Sequence, residues 1–126
     1  MTYLYQDKTE KIISAFYKVY GKLGFGFLEK VYQNALLIEL RKEGFLCRSQ
    51  APITVFYDEM IVGEYYADII VDDCIILELK AAEGIVEEHE VQLINYLKAT
   101  QIEIGLLLNF GKRPEIRRKI FTNDKK

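Results

Sequence analysis

The stretch from Gly63 to Lys80 limits the fold most, because it sets two apolar, β-branched runs on either side of Asp72-Asp73. Two such runs split by a short acidic turn form a β-hairpin. Charge sits where a buried strand should carry none: Asp68 lies in the first run, and Glu78 and Lys80 close the second. Strand alternation puts Glu78 and Lys80 on one face and Ile75, Leu77 and Leu79 on the other. A hairpin partner can carry Asp68 onto the Glu78/Lys80 face, in a register the sequence leaves open.

Two carboxylates and an ammonium at the edge of an apolar sheet are costly unless something compensates them. A hard divalent cation, Mg²⁺ or Mn²⁺, would do so through carboxylate and carbonyl oxygens. Lys80 would then orient water or stabilise charge on a phosphate. The same residues also fit a surface hairpin whose Glu and Lys are solvated or paired across strands.

The 126 residues suit a single domain spanning 1–126, and half of them are hydrophobic, which excludes a disordered chain. Seventeen basic and nineteen acidic residues leave a net charge of −2, which argues against a sequence-independent duplex binder with a basic surface. Cys47 and Cys74 are too few and too far apart for a metal knuckle. With no signal peptide evident, they are read as reduced thiols of a cytoplasmic protein. No apolar run reaches membrane-spanning length.

Asp7-Lys8-Thr9-Glu10 supplies cap chemistry for a first helix, with Ile12, Ile13, Phe16, Val19 and Tyr20 at helical spacing and an end near Tyr20–Leu23. A second helix follows Gly24-Phe25-Gly26. Leu28, Val31, Ala35 and Ile38 are its expected core stripe, Glu29, Tyr32, Gln33 and Leu36 form the neighbouring one, and Gly44 is its stop. Glu29 in the first turn also suits the helix dipole. Strands are expected at Ile53–Tyr57 and through the hairpin. A helix over Glu87–Thr100 follows, with Val91, Ile94 and Leu97 inward and Gln92 and Tyr96 sharing a face. Ile104–Phe110 reads as a buried strand reached by a parallel crossover. Pro114 would open a last helix, whose Lys112, Arg113, Arg117, Arg118, Lys119, Lys125 and Lys126 form a solvated face or a phosphate contact. The result is a mixed α/β domain.

Placed in this order, the parts resemble the PD-(D/E)XK nuclease superfamily, whose restriction-endonuclease-like core (αβββαβ) is a mixed central sheet flanked by helices. Gly26-Phe27-Leu28-Glu29-Lys30-Val31-Tyr32 is similar to the signature of its GxxExxY branch. Ala67-Asp68, Glu78-Leu79-Lys80 and His89-Glu90-Val91-Gln92 with Tyr96 follow in the matching order. The resemblance implies Asp68, Glu78, the Leu79 carbonyl and Glu29 as ligands of Mg²⁺ (or Mn²⁺), and Lys80 as the catalytic lysine. Gln92 and Tyr96 match an element that orients Lys80 or binds nucleic acid. The Pro of the superfamily's name is replaced by Ala67. His89 reads either as a helix cap or as a phosphate contact at the pocket mouth, not as a Mg²⁺ ligand.

The expected activity is metal-dependent hydrolysis of phosphodiester bonds in DNA, RNA or a small nucleotide. The alternative is a catalytically inactive nuclease-like fold that binds nucleic acid or protein. Aromatics such as Tyr3, Tyr5, Tyr57 and Tyr65 would suit a homodimer interface.

Overall fold

The computed structural model describes residues 4–126, so Tyr3 lies outside the described residues. Helices α1 (Gln6–Leu23) and α2 (Glu29–Lys42) precede strands β1 (Cys47–Tyr57), β2 (Met60–Val71) and β3 (Ile75–Lys80). Helix α3 (Glu87–Lys98), strands β4 (Ile104–Phe110) and β5 (Pro114–Ile120), and a 3₁₀ turn at Asn123–Lys125 complete the order. The sheet runs β1-β2-β3-β4-β5. Only β3 and β4 are parallel, and α3 is the crossover between them.

The turns follow from residues that tolerate left-handed backbone. Asp72 and Asp73 both have positive φ (50° and 54°) between Val71 and its partner Ile75. Asp58 and Glu59 do the same between Tyr57 and Met60. Both acidic turns stand where the sequence puts them.

Alternation along the central strands feeds two cores. Ile69, Val71, Ile75, Leu77, Leu79, Leu106 and Leu108 pack under α1 and α2. Ile70, Ile76 and Leu107 pack under Leu93, Tyr96 and Leu97 of α3. Close approach of α3 depends on Gly105, where a Cβ would lie 2.6 Å from a Leu93 methyl. On the α1/α2 side Tyr32 stacks on Phe110 (centroids 4.4 Å, 15°) and Phe16 meets the same ring edge-on at 4.7 Å.

Three expectations are corrected. In α2 the inward face is Tyr32, Gln33, Leu36, Leu37 and Leu40. The expected stripe faces out, with Leu28 80% and Ile38 57% exposed. Both stripes are apolar, so the period was right and its phase was decided by the fit of Tyr32 against Phe110. In α3 Val91 is likewise exposed, and Leu93 and Tyr96 take the core. The basic tail is a strand rather than a helix. β5 pairs antiparallel with β4 from Ile104↔Ile120 to Phe110↔Pro114, covering an otherwise bare edge of the most buried strand. Pro114 is tolerated as the first residue of that outer strand. Its cations are paired: Lys119 with Glu90 at 2.6 Å, and Arg117 with Glu115 at 3.6 Å. Arg118 donates to the Leu4 carbonyl and to Thr9 Oγ1. No helix among the described residues is long and apolar enough to cross a membrane.

Candidate active site

The β2–β3 ladder runs from Val71↔Ile75 to Ile69↔Leu77. One step further Asp68 faces Glu78, and there the carboxylates replace main-chain pairing. The Asp68 N–H donates to Glu78 Oε2, and the Leu79 N–H donates to Asp68 Oδ2, both at 2.8 Å. This exchange fixes both side chains beside each other on the face that also carries Lys80.

Glu78 is only 4% exposed. Burial, and after it the charge of Asp68, push its carboxyl up to about 8. Asp68 is raised too, chiefly by burial, with Lys80 and the Leu79 N–H opposing. The charges are thus held together against their own electrostatics. Tyr96 is pushed up to about 12 by burial and by Glu78 and Asp68, so its phenol stays protonated and remains a donor. Its ring lies 5.7 Å from that of Tyr65.

Glu29 comes from the other side of the sheet. Its Oε2 accepts from the Ala81 N–H at 3.3 Å, just beyond Lys80, and its charge raises both Asp68 and Glu78. The residue that sets it there is Tyr32, fully buried one turn on. The Tyr32 hydroxyl donates to the Gly24 carbonyl (2.6 Å) and accepts from the Phe27 N–H (3.2 Å), pinning the loop that delivers Glu29. This gives Gly26, Glu29 and Tyr32 a shared physical purpose.

The other expected residues are less closely joined. Leu79 meets the pair through its backbone, with its N–H on Asp68, and sends its side chain into the α1/α2 core. Gln92 is half-buried and lines a cleft with Tyr96. His89 caps α3: its Nδ1 accepts from the Val86 N–H at 3.2 Å, in keeping with the helix-end reading. Among the described residues no three His, Cys, Asp or Glu side chains form a cluster able to hold an ion. Asp68 and Glu78 therefore converge as a pair, and Glu29 stands off at Ala81.

Three supporting residues had no such role in the sequence reading. Gln33, buried in α2, donates to the Asp68 carbonyl at 3.2 Å, and Gln50 donates to Gln33 Oε1 at the same distance. Gln50 also hydrogen-bonds the Asp68 carboxylate, from a strand position with φ 49°. Left-handed backbone on a non-glycine residue inside a strand is strained, and such strain gathers at functional sites. Asn109, fully buried on β4 beside Lys80, takes both main-chain groups of Ala82. Its Oδ1 accepts from Ala82 N–H (2.9 Å), and its Nδ2 donates to Ala82 O (3.0 Å). Gly111 completes the clamp, since a Cβ there would meet the Ala82 carbonyl oxygen at 2.1 Å. The lone amide of Asn109 inside an apolar run was the one available signal, because a buried amide must be satisfied.

The donor type suits a hard cation, although among the described residues only two carboxylates supply it: Asp68 and Glu78 each engage one oxygen with a backbone N–H, which leaves further oxygen lone pairs side by side. A match to a family model described as the PD-(D/E)XK nuclease superfamily covers residues 6–119. Comparison with curated proteins and with solved structures gave no match.

Proposed function

The chain belongs to the PD-(D/E)XK nuclease superfamily, and on that premise we propose that it hydrolyses phosphodiester bonds in nucleic acid at Asp68, Glu78 and Lys80. The observation that carries the reading is the Asp68–Glu78 exchange, which holds two carboxylates together where burial raises both and the charge of Asp68 raises Glu78 further. Structural ion pairs lower such values, so a crowded carboxylate pair with a lysine beside it favours a reaction site. The Gly26-Glu29-Tyr32 signature supports placing the chain in the GxxExxY branch.

Asp68, Glu78 and the Leu79 carbonyl would hold Mg²⁺ or Mn²⁺, with Glu29 reaching it through water. When bound, such an ion neutralises the phosphate and acidifies water for attack. Lys80 places its ammonium where charge grows on the non-bridging phosphate oxygens in the transition state. Protonated Tyr96 offers a hydrogen bond to the same phosphate. Gln92 orients Lys80 or holds the strand. Gln33 and Gln50 keep Asp68 from turning away, and Asn109 keeps the chain after Lys80 from swinging.

The test is cleavage of single-stranded and duplex DNA, RNA and dinucleotides with Mn²⁺, comparing wild type with identically purified Lys80→Ala. The expected result is cleavage by wild type alone. Equal activity in both, or none on any substrate, would sink the enzymatic reading. A second reading, a nuclease-like fold that binds without turnover, is favoured by the lack of a third converging carboxylate among the described residues and by the net charge of −2.

A further inference from the structure

Past Ala67 the β1–β2 ribbon has no β3 beside it, because β3 pairs only with Ile69, Ile70 and Val71. The remaining arm is a two-stranded hairpin, a form that is marginal alone in water. It nonetheless presents Phe56, Tyr57, Met60, Ile61 and Val62 to solvent, with Tyr57 70% and Met60 68% exposed. Large apolar side chains exposed together at one hairpin end mark an interaction site. Between the arm and the outer face of α3 lies a cleft of about 970 Å³, walled by Val55, Val62 and Tyr65 on one side and Val91 and Tyr96 on the other.

The charge around this cleft selects its occupant. Glu87 and Glu88 line it, and among the described residues neither has an ion-pair partner. Asp58 and Glu59 form the arm's tip, and Glu64 lies along it. The one basic lining residue, Lys98, sets its ammonium over the Phe121 ring, 5.4 Å from the centroid. Away from Tyr96 and Gln92, an apolar trough with an acidic rim favours a polypeptide of opposite charge over a phosphate backbone. We propose that this cleft docks a basic amphipathic segment of another protein, apolar side against Val62 and Val91 and cationic side toward Glu87 and Glu88. Such a helix-in-groove contact uses the apolar anchors for affinity and the rim for selection. Because Tyr96 and Gln92 belong both to this wall and to the surroundings of Asp68 and Glu78, the docked segment would border the candidate active site.

The probe is a short fluorescent peptide of Leu and Lys at helical spacing, followed by anisotropy with the full chain. Two counterparts carry Glu for Lys, and Ser for Leu. The expected result is binding of the Leu/Lys peptide only, weakening as salt rises. Val62→Ser/Val91→Ser should lower affinity roughly tenfold. Glu87→Gln/Glu88→Gln should weaken it several-fold and flatten the salt dependence. All four side chains are exposed, and circular dichroism melting checks that the variants fold. No binding of the Leu/Lys peptide, or equal binding of the Leu/Glu peptide, would overturn the proposal. Duplex DNA binding weakened by these same substitutions would reassign the face to nucleic acid. A wild-type dimer in sedimentation velocity that Val62→Ser/Val91→Ser dissolves would reassign it to a second copy. None of these outcomes depends on catalysis at Lys80.

Discussion

Asp68 and Asp72 stand four residues apart on one hairpin and meet opposite fates. Asp72, at the turn, accepts from Lys8 Nζ at 2.6 Å and from the Leu46 N–H at 2.8 Å, and the Lys8 bond holds its carboxyl below the usual range. Asp73 beside it pairs with Arg48 at 2.8 Å. Asp68, at the open end, is pushed upward by burial and lies against Glu78, which is pushed up further. One end of the hairpin uses its acids to close a turn. The other keeps two acids in an arrangement that opposes folding, a contrast that the proposed chemistry at the pair would explain.

The sharpest way to break this contrast is activity. Asp68→Ala or Lys80→Ala should lower cleavage by at least about 10²–10³-fold, the scale for losing a charge-stabilising contact, while Asp72→Ala should leave it near wild type. Lys80→Ala should keep ion binding, and Asp68→Ala should lose it. Equal losses at Asp68 and Asp72 would erase the distinction.

Next in size is the clamp behind Lys80. Asn109→Ala strands two half-buried main-chain groups of Ala82 and should cost about 1–3 kcal/mol in urea unfolding. A change within error would show that the Ala82 groups find other partners.

The pH dependence sharpens the contrast further. Glu78 binds its proton up to about 8 when folded but titrates near its ordinary value, 4.5, when unfolded. Between those values the folded protein holds the extra proton, so stability falls as pH rises. Asp72 is lowered by folding, so it contributes stability that is lost as pH falls through its acidic titration. Ion-free wild type should therefore melt lower at pH 8 than at pH 6. Glu78→Gln should flatten that slope and be no less stable at pH 8. A slope unchanged in Glu78→Gln would place the titration elsewhere. The smallest effect is at the turn: Asp72→Ala should cost about 1 kcal/mol, since the Lys8 pair is half-exposed and worth less than a buried one.

Much of the contrast was legible in the residues. Asp72-Asp73 between β-branched runs reads as a turn because few other residues accept left-handed backbone so readily. Asp68, Glu78 and Lys80 stand out because charge interrupts apolar strands. What stayed hidden depended on partners distant in sequence. The phase of α2 rests on Tyr32 meeting Phe110, and its rival stripe of Leu28, Val31 and Ile38 is equally apolar. The strand at Pro114–Ile120 exists because β4 offers an edge, whereas locally Pro114 before a basic run reads as a helix start. The roles of Gln33, Gln50 and Asn109 are set by hydrogen bonds across the sheet, to which local periodicity is blind.

The most direct test is calorimetric titration of Mn²⁺ into wild type, Asp68→Asn and Asp72→Asn at pH 8, where the proton on Glu78 opposes binding less than at neutral pH. The account predicts that wild type and Asp72→Asn bind an ion alike and that Asp68→Asn binds none. Binding that survives Asp68→Asn, or that is lost in Asp72→Asn, would contradict it.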